Sequence, residues 1–399
     1  MRVLLASTSG AGHFGPLVPF AAAIRRAGHD ILVAAPISAQ SRVERAGLPF
    51  ISFADPLERD LEPVWERVRA ATPDEANELV LGELFGRVRA RAALPGVELA
   101  MDAWRPDVVV RESCEFASAI AAEAREIPVA RVGAFQLMVE ALTVRTAAPA
   151  VDDLRRWAGL EPDPAGERLS ASPYLTLTPA SFESRRQPVV RPLAETGGEH
   201  EPARTLRFHD APPPLRSVRA ASEAPFVYMS FGSVAATIGF FPGLYRSVID
   251  ALAELPIRLL VTVGDAADPA ELGPLPANVR VERWIPQTQV FTRADAMVGH
   301  GGFGTTLGAL LAGVPQVVVP LFADQPYNAQ RIADLGAGLA ADAQDPAGVR
   351  AAVERLLAEP AFRVAAGHIA LEAQGLPPID AAPAALQALA ADAKRRRAA

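Results

Sequence analysis

Short, unbroken apolar runs alternate along this chain with segments of helical period, and that alternation restricts the possible folds more than any other feature. Residues 3–6, 31–35, 108–110 and 129–132 form a first series of such runs. A strand that is apolar at every position is buried on both faces, which is typical of a parallel sheet covered by helices. The sequence therefore predicts an α/β protein built from βαβ units.

A second series of apolar runs follows, at residues 226–230, 258–263, 279–281, 296–298 and 316–320. The stretch between the two series, 183–223, is weakly patterned and contains Gly197-Gly198 and Pro212-Pro213-Pro214, a composition typical of a linker. A chain of 399 residues has room for two to three domains. We predict two α/β domains of similar size, with the charged helical segment 55–102 as a variable wall of a binding cleft.

Composition argues against several classes of function. The chain has 39 basic and 46 acidic residues and a net charge of −7, which argues against a nucleic-acid surface. Its single cysteine, Cys114, excludes a disulfide framework and a cysteine-based zinc cluster, and fits a reducing cytosol. No run reaches the ~18 apolar residues of a membrane span, and glycines interrupt the apolar start where a signal peptide would continue. We expect a cytoplasmic protein without a membrane partner.

The first glycine-rich loop, Gly10 to Gly15, matches the pattern G-x-G-x-x-G between a strand and a helix. Alone, this pattern indicates a dinucleotide-binding fold. The fingerprint also requires an acidic residue about 20 positions later to hold a ribose hydroxyl, but the second strand ends in Ala34-Ala35-Pro36-Ile37-Ser38. An NAD-dependent oxidoreductase is therefore the weakest alternative, and a tight packing turn is the simpler interpretation of the loop.

His13 is the most informative residue of that loop, because open α/β sheets bind ligands at the carboxyl ends of their strands. A neutral imidazole there can take a proton from a hydroxyl; the alternative is a histidine that only caps the loop. Glu112 follows the strand 108–110 and is a candidate to orient His13, as in a histidine–acid pair. Glu115 is the rival partner, and both acids could instead serve a helix N-terminus.

A second glycine cluster, His300-Gly301-Gly302-Phe303-Gly304-Thr305, lies between the strand 296–298 and a helix. Glycines let backbone amides approach an anion, and a helix N-terminus adds partial positive charge. The cluster lacks the Gly-Lys-Ser/Thr ending of a Walker loop, and the chain has no Asp-x-Asp pair for a metal-held diphosphate. It predicts a diphosphate site that needs neither a metal nor another cofactor.

Further polar and aromatic residues follow neighbouring strands. Trp284 offers a flat face for a base and Gln287 offers an amide, while Asp324 and Gln325 are candidates for binding vicinal hydroxyls. Each has a simpler interpretation, as a packing tryptophan, a turn aspartate or a solvated amide. Because these residues follow consecutive strands, we predict that they converge on one cleft.

These motifs resemble those of the family 1 glycosyltransferases, and most closely those of the bacterial enzymes that glycosylate antibiotics and other natural products. The nucleotide-sugar signature of that family is similar to Trp284-Ile285-Pro286-Gln287, the His300 cluster, Gly313-Val314-Pro315 and Asp324-Gln325-Pro326-Tyr327-Asn328. Gly12-His13-Phe14-Gly15-Pro16 resembles the acceptor-side histidine motif, and Phe231-Gly232-Ser233 resembles the loop that opens the donor domain.

The resemblance implies the GT-B fold, with two Rossmann-like parallel-sheet domains facing across a deep cleft. It implies an acceptor-binding domain over residues 1–212, a nucleotide-sugar-binding domain over 213–378, and a final helix over 379–399 that crosses back to the first domain. By position, His13 matches the catalytic base and Glu112 its acidic partner. The donor contacts that the motifs imply are Gly232, Ser233, Trp284, Ile285, Gln287, His300, Gly301, Gly302, Gly304, Thr305, Asp324 and Gln325.

Two positions depart from the family's pattern. Many relatives have aspartate where Glu112 stands, and the plant enzymes that use UDP-sugars have a glutamate, which holds both ribose hydroxyls, where Gly308 stands. Gly308 favours a dTDP-sugar, whose deoxyribose lacks one hydroxyl, over a UDP-sugar. The predicted function is inverting, metal-independent transfer of a hexosyl or deoxyhexosyl group from a dTDP- or UDP-sugar to a hydroxyl of a hydrophobic natural product. A non-catalytic activator that keeps the same fold is the alternative.

Overall fold

The computed structural model describes residues 1–183, 204–210 and 223–398. Backbone contacts divide them into two compact units. Residues 1–177, 204–210 and 377–398 form the N-terminal unit, and residues 178–183 and 223–376 form the C-terminal unit. Each unit contains one wholly parallel sheet, so the α/β class predicted from the apolar runs is confirmed.

The N-terminal sheet has seven strands in the order β3-β2-β1-β4-β5-β6-β7. The strands are β1 (Arg2–Ala6), β2 (Asp30–Pro36), β3 (Phe50–Phe53), β4 (Val108–Glu112), β5 (Val129–Val132), β6 (Tyr174–Thr176) and β7 (Thr205–Arg207). In the register, Leu5 lies opposite both Val33 and Val110, and all three are fully buried. The direction of strand addition reverses between β1 and β4, which makes this the switch point of the sheet.

Helices cover both faces of this sheet. They are α1 (Ala11–Phe14), α2 (Leu17–Arg26), α3 (Gln40–Arg45), α4 (Glu58–Ala70), α5 (Pro73–Glu78), a π-helix (Leu79–Arg89), α6 (Ala90–Trp104), α7 (Ala117–Glu123), α8 (Leu137–Trp157) and α9 (Glu167–Ser170). Alternate residues of β1 serve opposite cores: Leu5 packs with Phe20 of α2, and Leu4 packs with Leu94 of α6. The segment 55–102 is helical, as predicted.

The C-terminal sheet has six strands in the order β10-β9-β8-β11-β12-β13, with its own switch point between β8 and β11. The strands are β8 (Phe226–Ser230), β9 (Arg258–Thr262), β10 (Val279–Glu282), β11 (Ala296–Gly299), β12 (Gln316–Val318) and β13 (Gly338–Ala340). The helices are α10 (Gly243–Ala253), α11 (Gln287–Phe291), α12 (Phe303–Leu311), α13 (Gln325–Asp334), α14 (Pro346–Ala358) and α15 (Pro360–Gln374).

The last helix, α16 (Ala382–Ala398), belongs to the N-terminal unit. Leu386 of this helix is buried in the same core cluster as Phe20. Polar contacts reinforce the packing, since Lys394 Nζ lies 2.8 Å from Asp107 Oδ1 and Arg26 pairs with Asp380 just before the helix. The chain therefore returns to its first unit after completing the second.

Two expectations need correction. Residues 205–207, expected to be linker, form β7, because a three-residue edge strand is too short to leave an apolar pattern. Gly197-Gly198 and Pro212-Pro213-Pro214, which carried the linker expectation, lie outside the described residues. The strand expected at 108–110 continues to Glu112, because Arg111 and Glu112 pair with β5 and are buried despite their charge.

Within the described ranges, no helix combines the length and the apolar character that crossing a bilayer requires.

Candidate active site

The switch point of the N-terminal sheet brings the predicted base and its partner together. Helix α1 follows β1 directly and carries His13, while Glu112 is the last residue of the adjacent strand β4. Because Ala6 of β1 lies opposite Arg111, the next residue of β4 reaches the level of the loop that follows β1. Two side chains that are 99 positions apart in the sequence therefore meet at one edge of the sheet.

His13 Nδ1 lies 3.0 Å from Glu112 Oε2. A carboxylate can only accept hydrogen bonds, so Nδ1 carries the shared hydrogen. In the neutral imidazole this leaves Nε2 with a lone pair that can accept a proton. The His13 side chain keeps 17% of its surface exposed, whereas that of Glu112 is fully buried. The histidine is thus the member of the pair that a substrate can reach.

Several donors hold the Glu112 carboxylate in place. Thr8 donates to Oε1 from its amide, at 3.2 Å, and from its hydroxyl, at 2.8 Å. The Cys114 amide donates to Oε2 at 2.8 Å. Burial by itself would raise the pKa of Glu112, but His13 and these donors together hold that pKa below its ordinary value. The site therefore keeps a fixed negative charge behind the imidazole.

Glu115, the rival partner, does not contact His13. Its carboxylate accepts from the Ser118 amide at 3.0 Å and from the Ser118 hydroxyl. Burial raises the pKa of Glu115. Its role is at the start of α7, so the structure assigns the contact with His13 to Glu112.

A buried guanidinium shapes the turn that separates the two acids. Arg111 Nη1 donates to the carbonyl oxygens of Glu112, Ser113 and Glu115, at 3.0, 3.1 and 3.2 Å. These bonds fix the backbone that carries the Cys114 amide, and with it one of the donors to Glu112.

Apolar rings flank the imidazole on its other sides: the ring centroids of Phe85 and Phe135 lie 5.0 and 6.0 Å from that of His13.

The switch point of the C-terminal sheet is built around His300, which follows β11. Two glycines make room for its ring. A Cβ atom on Gly302 would lie 2.3 Å from His300 Nε2, and one on Gly232, after β8, would lie 2.6 Å from the same atom. Gly232 also has φ = +77°, a conformation that side chains disfavour. No other residue type fits either position without displacing the histidine.

His300 is only 9% exposed, and burial lowers its pKa to about 4. It is therefore neutral near pH 7 and can donate a hydrogen bond without carrying a charge. Helix α12 begins three residues later, with Gly302 in the capping position. The first amides of such a helix have no partner inside it and point outward, where they can bind an anion.

The loop between β12 and α13 is tied to the His300 cluster by Asn328. This fully buried amide donates to the Gly301 carbonyl and to Asp324 Oδ2, both at 2.7 Å. Gln325 is 2% exposed, and its Oε1 accepts from the amides of Leu321 and Phe322. The side-chain oxygen of Gln325 is therefore occupied by hydrogen bonds within its own loop. Only the side-chain nitrogen is left for the predicted contact with a sugar.

The remaining predicted donor contacts differ in exposure. The Trp284 ring is 66% exposed, while Ile285 beside it packs on the core that contains Phe291. Gln287 accepts from the Thr305 hydroxyl at 3.3 Å and donates to the Tyr228 hydroxyl at 3.3 Å, so it links the start of α11 to α12. Ser233 and Gly304 are exposed.

Sequence reasoning did not assign Thr8, Asn328 or Phe85 to the site. Thr8 stands two residues beyond β1, so the rule that ligands bind at strand ends could have found it. Asn328 belongs to a motif that carried the resemblance but was given no role. Phe85 lies on the π-helix, and no signal in the sequence connects it to His13.

The fold and the site together define a class, that of the GT-B glycosyltransferases. The chain has two Rossmann-like parallel-sheet domains. The first has a histidine–acid pair at its switch point, and the second has a glycine-rich histidine loop there. Two models of the erythromycin biosynthesis protein CIII-like family match the chain, the N-terminal domain over residues 22–149 and the C-terminal domain over residues 246–387. The chain belongs to this family and is a glycosyltransferase of antibiotic biosynthesis. This sets aside the oxidoreductase alternative.

Curated relatives align over almost the whole chain. The elloramycin glycosyltransferase ElmGT of Streptomyces olivaceus is 32% identical and covers 96% of each chain. The L-demethylnoviosyl transferase of Streptomyces niveus is also 32% identical, over 93% of this chain and 94% of its own. The TDP-daunosamine transferase DnrS of Streptomyces peucetius is 27% identical over 93% of both.

Solved structures agree with this fold. The glycosyltransferase SnogD from Streptomyces nogalater is 29% identical, with a TM-score of 0.72 over 98% of this chain and 99% of that one. The spinosyn rhamnosyltransferase SpnG complexed with thymidine diphosphate has a TM-score of 0.76, over 97% of this chain and 100% of that one. Because the two sequences are only 22% identical, this likeness shows the fold alone.

Proposed function

We propose that this glycosyltransferase moves a hexosyl or deoxyhexosyl group from a dTDP-sugar to a hydroxyl of a hydrophobic small-molecule natural product. The transfer proceeds with inversion at the anomeric carbon and without a metal ion. His13 is the general base, Glu112 its partner, and the His300 cluster the seat of the diphosphate.

The observation that carries the proposal is the 3.0 Å contact between His13 Nδ1 and Glu112 Oε2. It fixes the tautomer of the imidazole and leaves Nε2 to accept the proton of the acceptor hydroxyl. As that proton moves to Nε2, the ring becomes positively charged, and the ionised carboxylate of Glu112 stabilises it. General-base assistance of this kind contributes ~10²–10⁴ in rate.

The bond changes follow from an in-line displacement. The acceptor oxygen attacks the anomeric carbon from the face opposite the diphosphate, so the new bond has the inverted configuration. The bond between that carbon and the phosphate oxygen breaks, and its electron pair leaves with dTDP. Negative charge grows on the diphosphate, where the amides at the start of α12 and the neutral His300 supply donors. These donors take the place of a metal ion in the proposal.

Two features support dTDP over UDP. Gly308 has no side chain to hold a second ribose hydroxyl, and a deoxyribose lacks one. A relative over 93% of this chain is named as a TDP-daunosamine transferase. The exposed ring of Trp284 is the candidate stacking surface for the base, which would serve thymine and uracil alike.

His13→Ala tests the base. We expect turnover to fall by ~10²-fold or more, with dTDP affinity within about twofold of wild type because position 13 lies in the other unit. Calorimetric titration of dTDP and initial rates with one donor–acceptor pair measure the two effects separately. Full turnover by the alanine variant would contradict the base assignment.

Two further measurements address the remaining parts of the proposal. Excess chelator should leave the initial rate unchanged, and a loss restored by added metal would contradict metal independence.

Starting from an α-linked donor, the proton NMR coupling of the product's anomeric hydrogen should indicate the β configuration for inversion. A protein that binds dTDP but transfers no sugar to any acceptor would contradict catalysis. If such a protein increased the rate of a partner transferase, that result would favour the activator alternative.

A further inference from the structure

A chain of hydrogen bonds in the C-terminal unit connects several elements that carry predicted donor contacts, with the hydroxyl of Tyr228 at its centre. On one side, Gln287 Nε2 donates to Tyr228 Oη at 3.3 Å, and Gln287 Oε1 accepts from the Thr305 hydroxyl at 3.3 Å. On the other side, Tyr228 Oη lies 2.7 Å from Thr262 Oγ1, which donates to Ser230 Oγ at 3.0 Å. Polar side chains from β8, β9, α11 and α12 therefore form one connected series.

Strand register explains why these groups meet. Ser230 and Thr262 are the last residues of β8 and β9, and they lie opposite each other. Because side chains alternate across a strand, Tyr228 points to the same face of the sheet as Ser230. Helices α11 and α12 cover that face, where Tyr228 shares a core cluster with Phe291 and Ala309. The tyrosine thus packs between the sheet and the two helices whose first turns carry Gln287 and Thr305.

The hydrogens of this chain run in a single direction. Each hydroxyl has only one hydrogen to donate. Thr262 gives its hydrogen to Ser230, so the hydrogen in the contact between Thr262 and Tyr228 comes from the tyrosine. Tyr228 therefore accepts from Gln287 and donates to Thr262. Hydrogen bonds that are aligned in this way strengthen one another in a low dielectric.

The tyrosine hydroxyl also determines how the Gln287 amide is turned. Because the hydrogen of Tyr228 is used by Thr262, only the nitrogen end of the amide can face Tyr228, and the oxygen end faces Thr305. These two bonds use one hydrogen and one lone pair of the amide, so a second hydrogen and a second lone pair remain for a ligand. Tyr228 is only 1% exposed, whereas Gln287 and Thr305 are half-buried. A group that no ligand touches thus orients two groups that a ligand can reach.

We propose that Tyr228 is a positioning residue for the donor nucleotide: its hydroxyl orients the Gln287 amide and holds it against Thr305. This inference rests on the proposed function and adds to the donor site a buried residue that sequence reasoning did not assign. Without the hydroxyl, the Gln287 side chain can rotate away, and ordering it again becomes a cost of binding. The donor then binds less tightly, although no contact with the nucleotide has been deleted.

The test removes one oxygen atom from the chain. Calorimetry measures dTDP affinity for wild type, Tyr228→Phe and the matched control Tyr245→Phe. Tyr245 is fully buried in the same unit, and its hydroxyl has no hydrogen-bond partner among the described residues. Tyr228→Phe should bind dTDP about 5-fold more weakly, the factor that corresponds to one net hydrogen bond. Tyr245→Phe should bind dTDP like wild type.

The Gln287→Ala background separates positioning from a general structural effect. If Tyr228 acts through the Gln287 amide, Tyr228→Phe should change dTDP affinity by less than about twofold once that amide is absent. A general loosening of the unit would weaken binding equally in both backgrounds. In steady-state assays, the donor KM of Tyr228→Phe should rise about 5-fold while kcat stays within about twofold, since the buried hydroxyl contacts no substrate.

Thr262 provides a second pair of variants. Thr262→Val keeps the shape of the side chain but removes the acceptor of the Tyr228 hydrogen, whereas Thr262→Ser keeps the hydroxyl. The valine variant should weaken dTDP binding by about twofold or more, and the serine variant should restore it. This pair decides the inference if Tyr228→Phe does not fold or if Gln287→Ala binds too weakly to measure. Urea unfolding reports the folding of every variant.

Four results would overturn the inference: wild-type dTDP affinity in folded Tyr228→Phe, an equal loss in Tyr245→Phe, a full further loss in the Gln287→Ala background, or equal affinities in the two Thr262 variants. Failure of wild type to bind either dTDP or UDP would instead contradict the proposed function, and this inference would fall with it. Normal binding by both wild type and Tyr228→Phe contradicts only the positioning role, so the two failures are distinguishable.

Discussion

The Oε2 atom of Glu112 lies 3.0 Å from Nδ1 of His13, and the carboxylate to which it belongs is completely buried at the end of β4. A buried charge in this position has one evident use, which is to fix the orientation and the tautomer of the ring before it.

Glu112→Gln should lower kcat by ~10²-fold or more while leaving the KM for the donor within about twofold. The amide keeps the size of the side chain but removes the charge, and it can present a hydrogen to Nδ1 and so favour the wrong tautomer. Steady-state kinetics measure the effect. Glu115→Gln is the matched control, because that acid serves α7, and an equal loss in both variants would show that the effect is structural rather than specific to the pair.

Trp284→Ala should weaken binding of dTDP and UDP by about 10-fold each, in line with the ~1–3 kcal/mol that a base–aromatic stack contributes. Because the ring is 66% exposed, its loss should hardly change the stability of the protein. Trp157→Ala removes a ring of similar exposure, 69%, from the N-terminal unit and serves as the control. Unchanged nucleotide affinity in Trp284→Ala would disprove stacking.

Gly302→Ala should abolish measurable dTDP binding, because the new Cβ would lie 2.3 Å from His300 Nε2 and must displace the ring. Gly243→Ala introduces the same methyl group at the start of α10, where no atom lies within 4 Å, and should bind dTDP normally. Calorimetry measures both affinities. Wild-type affinity in Gly302→Ala would mean that the position of His300 does not matter for the donor.

His300 should make the protein less stable in mild acid. Its folded pKa, lowered to about 4, lies below the ordinary histidine value of 6.5, so between these values the unfolded chain binds a proton that the folded chain does not. Stability from this group is complete above pH 6.5 and falls by about 1.4 kcal/mol per pH unit as the pH drops toward 4.

The measurement is urea unfolding of wild type and His300→Gln at pH 7 and pH 5. Glutamine does not titrate, so wild type should lose about 2 kcal/mol more than the variant over this interval. Glu112 acts in the same direction only at lower pH, because its depressed pKa lets it lose its stabilising charge as the pH falls below the ordinary glutamate range. Equal losses in the two proteins would contradict the assignment of a buried, neutral His300.

The sequence by itself determined the α/β class, the family and the positions of the chemistry-bearing motifs. It could do so because buried parallel strands are apolar on both faces, and because glycine-rich loops are local in sequence. His13, Glu112 and the His300 cluster were therefore visible as candidates, whereas β7 was not, because three edge residues leave no pattern.

Only the tertiary structure decided which candidates meet. Strand register brought His13 to Glu112, while Glu115 contacts Ser118 instead. The side-chain oxygen of Gln325 accepts hydrogen bonds within the β12–α13 loop. The tertiary structure also brought Phe85 next to the base from a helix that no local pattern links to it. Contacts between residues far apart in the chain depend on packing and on the competition among buried hydrogen-bond partners, and neither is encoded in any short stretch of sequence.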